Sequence, residues 1–235
     1  SPEGKYVTYW DRDHAVWRGV GTMDDARYEL SAEAPYSVVN ALDDRAYAPS
    51  SYGIAGWTAG DAEFVFYDKF DIWGSTPGGA VRSITEGKGR EMGVQLRYTD
   101  LDREQAALDS DEWMVYGLNL DTMEAGYYEV EPASGDLENL VHGPYGFRIY
   151  QKAAEANVLL WARNSFEEFP NLRTANLDFK KSHVLSDANP QQSDFSWGSA
   201  ELYEWTSLDG QLLKGILYKP EGFDASNQYP MMVYF

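Results

Sequence analysis

A strand–turn–strand unit recurs along this chain, and the recurrence limits the fold more than any other feature. One copy runs Ala62-Glu63-Phe64-Val65-Phe66-Tyr67, then Phe70-Asp71-Ile72-Trp73, a Thr76-Pro77-Gly78-Gly79 turn and Val81-Arg82-Ser83-Ile84. The next runs Glu112-Trp113-Met114-Val115-Tyr116, then Tyr127-Tyr128-Glu129-Val130, a Pro132-Ala133-Ser134-Gly135 turn and Leu137-Glu138-Asn139-Leu140. A third runs Asn157-Val158-Leu159-Leu160-Trp161, residues 172–177 and His183-Val184-Leu185. Residues 5–9 with Ala15-Val16-Trp17 and 27–30 fit a fourth. The offset of roughly 45–60 residues is that of four-stranded propeller blades. An all-β sandwich of evenly spaced strands is the competing architecture, and it repeats less faithfully.

The strands expected on this pattern include 63–67, 94–98, 113–118, 127–131, 158–162 and 212–218. They are short, rich in aromatic and β-branched residues, and bounded by turn formers. Aromatic residues make up 15% of the chain, a composition that favours strands. The best helical stretch, 102–108, is brief and reads equally as a loop.

The character changes after Asn189-Pro190. Residues 201–220 read as two long strands around Asp209-Gly210, a strong hairpin signal. A polar loop follows, and Tyr229-Pro230 then leads the apolar run Met231-Met232-Val233-Tyr234-Phe235. Such a run is expected to be a strand buried on both faces, as in a parallel α/β sheet. Both ends of the chain are expected to be cuts in a longer sequence: Ser1-Pro2-Glu3-Gly4-Lys5 has no signal-peptide character, and the chain closes inside a strand-like run.

A formal charge of −19 excludes nucleic-acid and anionic-membrane partners, which need a basic footprint. The acidity suits a high-salt surface or an ordinary acidic protein, and charge leaves both open. The absence of cysteine removes disulfides, thiolate metal sites and cysteine nucleophiles, while leaving the compartment open. No run approaches the ~18 apolar residues of a membrane span.

Chemistry is sparse. A serine nucleophile on a Gly-x-Ser-x-Gly elbow has no match; Gly74-Ser75 and Gly198-Ser199 read as turn residues. His14, His142 and His183 are the available imidazole bases, and His183 is expected half-buried in an outer strand. Asp11, Asp13 and His14 lack the glycine and distal Glu of a calcium loop and read as a solvated turn. Asp109, Asp111 and Glu112 read as a charged loop. Gly87-Lys88-Gly89 with Gly93 misses dinucleotide-binding spacing by one residue and reads as a loop between blades. No single carboxylate pair stands out as a glycosidase dyad. Tyr127-Tyr128 and the aromatics from Trp197 to Trp205 are expected in cores and between blades. No metal site and no cofactor is called for.

Several stretches carry a resemblance. Trp205-Thr206-Ser207-Leu208-Asp209-Gly210, Gly215-Ile216-Leu217-Tyr218-Lys219-Pro220 and Tyr229-Pro230-Met231-Met232-Val233-Tyr234 resemble the junction of the prolyl oligopeptidase family, where a propeller passes into an α/β-hydrolase domain. Tyr52-Gly53-Ile54-Ala55-Gly56-Trp57, Tyr67-Asp68-Lys69-Phe70-Asp71-Ile72-Trp73, Ser165-Phe166-Glu167-Glu168-Phe169-Pro170 and Asp187-Ala188-Asn189-Pro190-Gln191-Gln192 are similar to blade motifs of its Bacteroidetes-type, dipeptidyl-peptidase-like members. The resemblance implies a partial propeller of about four blades over 1–192, and the junction and first strands of the hydrolase domain over 193–235. It implies a serine peptidase that acts on short peptides by a Ser-His-Asp acyl-enzyme mechanism, with the propeller gating access. The triad and the oxyanion-hole residue are expected beyond Phe235, so no residue here takes a catalytic role and the fragment alone is expected to be inactive. Members commonly favour proline or alanine before the cleaved bond, and bacterial members are often exported, which implies a periplasmic or secreted place. A non-catalytic propeller that binds a partner is the alternative.

Overall fold

A computed structural model describes residues 1–43, 45–102, 104–108 and 111–234. Four antiparallel sheets follow one another along the chain, each with its strands in sequence order. The first has three strands, β1 (Tyr6–Asp11), β2 (Val16–Gly21) and β3 (Arg27–Glu29). The second has four: β4 (Ile54–Trp57), β5 (Phe64–Tyr67), β6 (Ile72–Ser75) and β7 (Val81–Ser83). The third has β8 (Val94–Tyr98), β9 (Trp113–Asn119), β10 (Ala125–Val130) and β11 (Leu137–Gly143). The fourth has β12 (Gly146–Lys152), β13 (Val158–Asn164), β14 (Arg173–Asn176) and β15 (His183–Val184). A separate hairpin joins β16 (Ser199–Thr206) to β17 (Leu212–Lys219). Meandering four-stranded sheets stacked in sequence are propeller blades, as the repeat implied.

Side-chain alternation explains why the second strands read as wholly apolar. On β5, Phe64 and Phe66 enter a core with Trp57 and Trp73 that also takes in Tyr6, Trp10 and Trp17 of the first sheet. Val65 and Tyr67 point the other way, into a core shared with Val94, Leu96, Trp113 and Val130 of the third sheet. The third sheet is used in the same way. Met114, Ala125 and Tyr127 face Phe147, Leu159 and Trp161 of the fourth sheet. A blade with neighbours on both faces must be apolar on both, and each fully buried large side chain contributes about 1.5–3 kcal/mol.

Several expectations are corrected. The repeat as read from sequence starts each unit at the blade's second strand; the first strands β4, β8 and β12 precede it. β1 therefore corresponds to β5, β9 and β13. The described residues between 102 and 108 form no helix, whereas the expected loop at Gly87–Gly93 holds a short one, α1 (Lys88–Met92). The run at 231–234 is not a strand: Met232 and Tyr234 are 95% and 99% exposed, and the run pairs with no other strand among the described residues. Apolarity alone cannot make a strand without a ladder to join. No helix among the described residues is long and apolar enough to cross a membrane.

Candidate functional site

One local device recurs at the turn between the second and third strands of every blade. Asp68 Oδ1 accepts the N–H groups of Phe70 and Asp71, both at 2.7 Å. Asp11 Oδ1 accepts those of Asp13 and His14, at 3.1 and 3.2 Å. Asn119 Oδ1 accepts from Asp121 and Thr122, and Ser165 Oγ from Glu167 and Glu168. A short oxygen-bearing side chain that captures the N–H groups two and three residues on forms the turn from within. The sequence carries this signal as Asp, Asp, Asn and Ser at matching places.

In the second blade the turn becomes the joint to the third. Asp71 is fully buried, and its carboxylate accepts Thr85 Oγ1–H at 2.8 Å, Gly89 N–H at 2.9 Å and Arg90 N–H at 3.2 Å. A Cβ on Gly89 would sit 2.7 Å from the Phe70 carbonyl and 2.9 Å from Asp71 Oδ1, so only glycine lets α1 approach. Arg90 donates to Asp68 Oδ2 at 2.6 Å and lies 3.5 Å from the Tyr36 ring centre. From β8, Leu96 N–H bonds the Phe70 carbonyl, Gln95 that of Lys69, and Arg97 that of Asp68. The Arg97 guanidinium lies 4.6 Å from the Tyr67 ring centre.

The electrostatics follow from this burial. Burial raises Asp71, with the neighbouring Asp68 charge acting the same way against the hydrogen bonds from Thr85, Gly89 and Arg90. Burial pushes the Tyr67 phenol up to about 12 and lowers Arg97 to about 10. The glycine-rich segment that falls short as a phosphate cradle is a cradle after all, and the anion it holds is the chain's own Asp71.

The β16–β17 hairpin sits on the equivalent turns of the third and fourth blades. Lys214 Nζ donates to the Asp121 carbonyl at 2.9 Å and lies 3.2 Å from its carboxylate. On the fourth blade, Trp197 Nε1–H donates to the Phe166 carbonyl at 2.7 Å, and the Phe166 ring meets Tyr218 at 5.0 Å and Trp197 at 5.8 Å. Between hairpin and blades lies a cleft of about 670 Å³, walled by Met123, Tyr145, Phe166, Glu167, Leu202 and Ile216 among others. A mostly apolar concavity with a few polar groups, at the meeting of two modules, is the usual form of a ligand site.

The residues singled out in the sequence are scattered. Neither serine is the turn residue expected: Ser75 is buried at the end of β6, and Ser199 is exposed at the start of β16. His14 pairs with Asp11 Oδ2 at 2.9 Å in the first blade's turn, where Asp11 also meets Arg18 at 3.0 Å; this is the solvated turn expected. His142 lies edge-on to Tyr128. His183 is exposed rather than half-buried, because β15 is the outermost strand of its sheet. Among the described residues no serine hydroxyl bonds a histidine. Asp111 and Glu112 are exposed before β9, and Asp109 lies outside the described residues. Tyr127 and Tyr128 are core, but Trp197 and Trp205 are each 43% exposed, since the hairpin meets the blades only at its edge. Sequence reading missed Phe166 and Lys214 as contact residues, and nothing local marks them.

No protein-family model and no curated protein matches the chain. Among solved structures, the fold is similar to that of a Bacteroides ovatus protein assigned as a dipeptidyl aminopeptidase IV, with a TM-score of 0.61, 13% identity, and coverage of 96% of this chain and 33% of that one. The AtxE2 isopeptidase matches at a TM-score of 0.48 and 13% identity over 92% of this chain and 31% of its own, and a TolB from Agrobacterium tumefaciens at 0.47 and 13% over 94% and 80%. The chain spans about a third of the length of the first structures it resembles. At this identity the similarity shows the fold, and the fold agrees with the resemblance read from the blade and junction motifs.

Proposed function

We infer that this chain is part of a serine peptidase of the prolyl oligopeptidase family, with 1–192 supplying blades and 193–235 leading into an α/β-hydrolase domain. The observation that carries the reading is the break in architecture after β15. Consecutive blades give way to a long hairpin that joins no blade sheet, and the dipeptidyl aminopeptidase IV-like structure is similar in fold over 96% of this chain.

The chemistry then belongs to residues beyond Phe235. A serine attacks the peptide carbonyl, a histidine takes its proton and passes it to the leaving amine, and an aspartate orients the histidine. The blades contribute access. Short or unfolded peptides reach the cleft between propeller and catalytic domain, and folded proteins do not. The scatter of serines and histidines over separate sheets supports a non-catalytic role for this part of the protein. The same scatter favours the second reading, a propeller that only binds a partner.

Peptide turnover by the full-length protein separates the two. Short peptides should be hydrolysed while the same sequence inside a folded protein is spared, and the 235-residue chain should turn over neither. A folded full-length protein that cleaves no peptide in a broad library overturns the peptidase reading.

A further inference from the structure

The turn between β16 and β17 carries the one Asp-Gly step of the sequence, Asp209–Gly210, and there is no Asn-Gly. Gly210 lies at φ 87°, and a Cβ there would meet nothing within 4 Å, so the backbone angle rather than space requires glycine. That choice brings a chemical liability. Beside glycine the backbone nitrogen is unshielded and can attack the carboxyl carbon of the aspartate before it. In that step a bond forms from Gly210 N to Asp209 Cγ, and the amide proton leaves with the carboxyl hydroxyl as water. Water then opens the cyclic imide at either carbonyl. Opening at the backbone carbonyl leaves isoaspartate, with the main chain routed through Cβ and Cγ.

Three features of the tip oppose this closure. Gly210 N–H is donated to the Ser207 carbonyl at 3.0 Å, so the nucleophile holds its proton. Ser207 Oγ–H donates to Asp209 Oδ1, and Gln211 Nε2–H to Oδ2 at 3.2 Å, so each carboxylate oxygen is tethered. The Gln211 carbonyl, 3.1 Å from the same hydroxyl, is the weaker acceptor because it is uncharged. Hydrogen bonding, from Ser207 first, also lowers the Asp209 pKa and favours the ionised carboxyl, which has no hydroxyl to lose. Ser207 is itself fixed: its Oγ accepts Gln211 N–H at 2.9 Å, and its N–H reaches the Gln211 carbonyl at 2.8 Å. We propose that Asp209–Gly210 is a latent site of spontaneous aspartate isomerisation, kept closed by Ser207 for as long as the hairpin tip is folded. Isoaspartate adds a backbone atom inside this ring of bonds and puts Ser207 and Gln211 out of register. The modification is therefore slow in folded tips and fast in frayed ones, and it marks copies whose hairpin has opened.

Incubation of the full-length protein in heavy-oxygen water tests this, with electron-transfer fragmentation separating isoaspartate from aspartate at Asp209. A synthetic peptide of residues 205–213 serves as the unfolded reference. The protein should acquire heavy oxygen and isoaspartate at Asp209 at least about tenfold more slowly than the peptide, and Ser207→Ala should recover much of that factor, the share of one charge-assisted hydrogen bond. Ser207→Thr keeps the hydroxyl and should stay slow. Gln211→Ala loses the longer tether and should speed the reaction by a smaller factor. Near-ultraviolet dichroism establishes that each variant is folded. Modification of the folded protein as fast as the peptide, or of folded Ser207→Ala no faster than the unsubstituted protein, overturns the proposal. Where Ser207→Ala does not fold, an unchanged rate in Gln211→Ala does the same.

Discussion

Between the second and third blades, Asp68, Asp71, Arg90 and Arg97 are packed under the rings of Tyr36 and Tyr67. Under the hairpin, a largely covered lysine, Lys214, meets an aspartate that is open to solvent. Both joints bring charge to the same kind of turn, yet they are built for opposite ends. In the first, every carboxylate oxygen has a donor, and the donors are mostly backbone groups that cannot move away. Charge buried with its partners fixed becomes part of the frame. In the second, the aspartate side chain is 84% exposed and the lysine divides its bonds between Asp121 and Glu204, so the pair holds its place only weakly.

The largest expected effect tests the buried joint. Asp71→Ala leaves the Thr85 hydroxyl and the Gly89 and Arg90 N–H groups without an acceptor, and should destabilise the chain by about 3–5 kcal/mol in urea unfolding. A loss below ~1 kcal/mol would erase the contrast drawn above. Gly89→Ala forces a methyl against the Phe70 and Val94 carbonyls and should cost about 2 kcal/mol by the same measurement.

Tyr67→Phe keeps the ring beside Arg97 but removes the acceptor of the Tyr98 N–H, which should cost about 1–2 kcal/mol at neutral pH. It also carries a signature in pH. The phenol's pKa is raised in the fold, from 10.0 to about 12, so its contribution is fully present below pH 10 and is lost as pH rises from 10 to 12. Arg97 is lowered to about 10 by burial, so its contribution to stability runs the other way, rising as pH climbs above 10. The stability of Tyr67→Phe relative to the unsubstituted chain should therefore rise as pH goes from 10 to 12, because the variant keeps the Arg97 contribution and lacks the opposing one. At the small end, Lys214→Met should leave the unfolding midpoint of the blades in place. A marked drop in that midpoint would mean that hairpin and blades form one frame.

How far the sequence discloses this follows from burial. β5 and β9 are legible because both faces of each are covered, which forces Phe64-Val65-Phe66-Tyr67 and Trp113-Met114-Val115 into apolar runs. The hairpin is legible because its turn needs Gly210, which lies at φ 87°. β4 and β12 are hidden: Ile-Ala-Gly-Trp and Gly-Phe-Arg-Ile-Tyr-Gln-Lys mix small, charged and apolar residues, whereas the first strand β8 is legible in its alternation of buried Val94 and Leu96. The Gly87–Gly93 segment reads as a loop, and the carboxylate it holds, Asp71, lies on the far side of two strands, β6 and β7. Lys214 and Asp121 are 93 residues apart, and no periodicity links them.

The central claim is that the nucleophile lies beyond Phe235 and that these residues frame access to it. Treating the full-length protein and the 235-residue chain with a fluorophosphonate, and locating the added mass, tests this directly. The account predicts labelling at one serine C-terminal to Phe235 and none within the 235 residues. A folded full-length protein that takes no label, or label on Ser75 or Ser199, would contradict it.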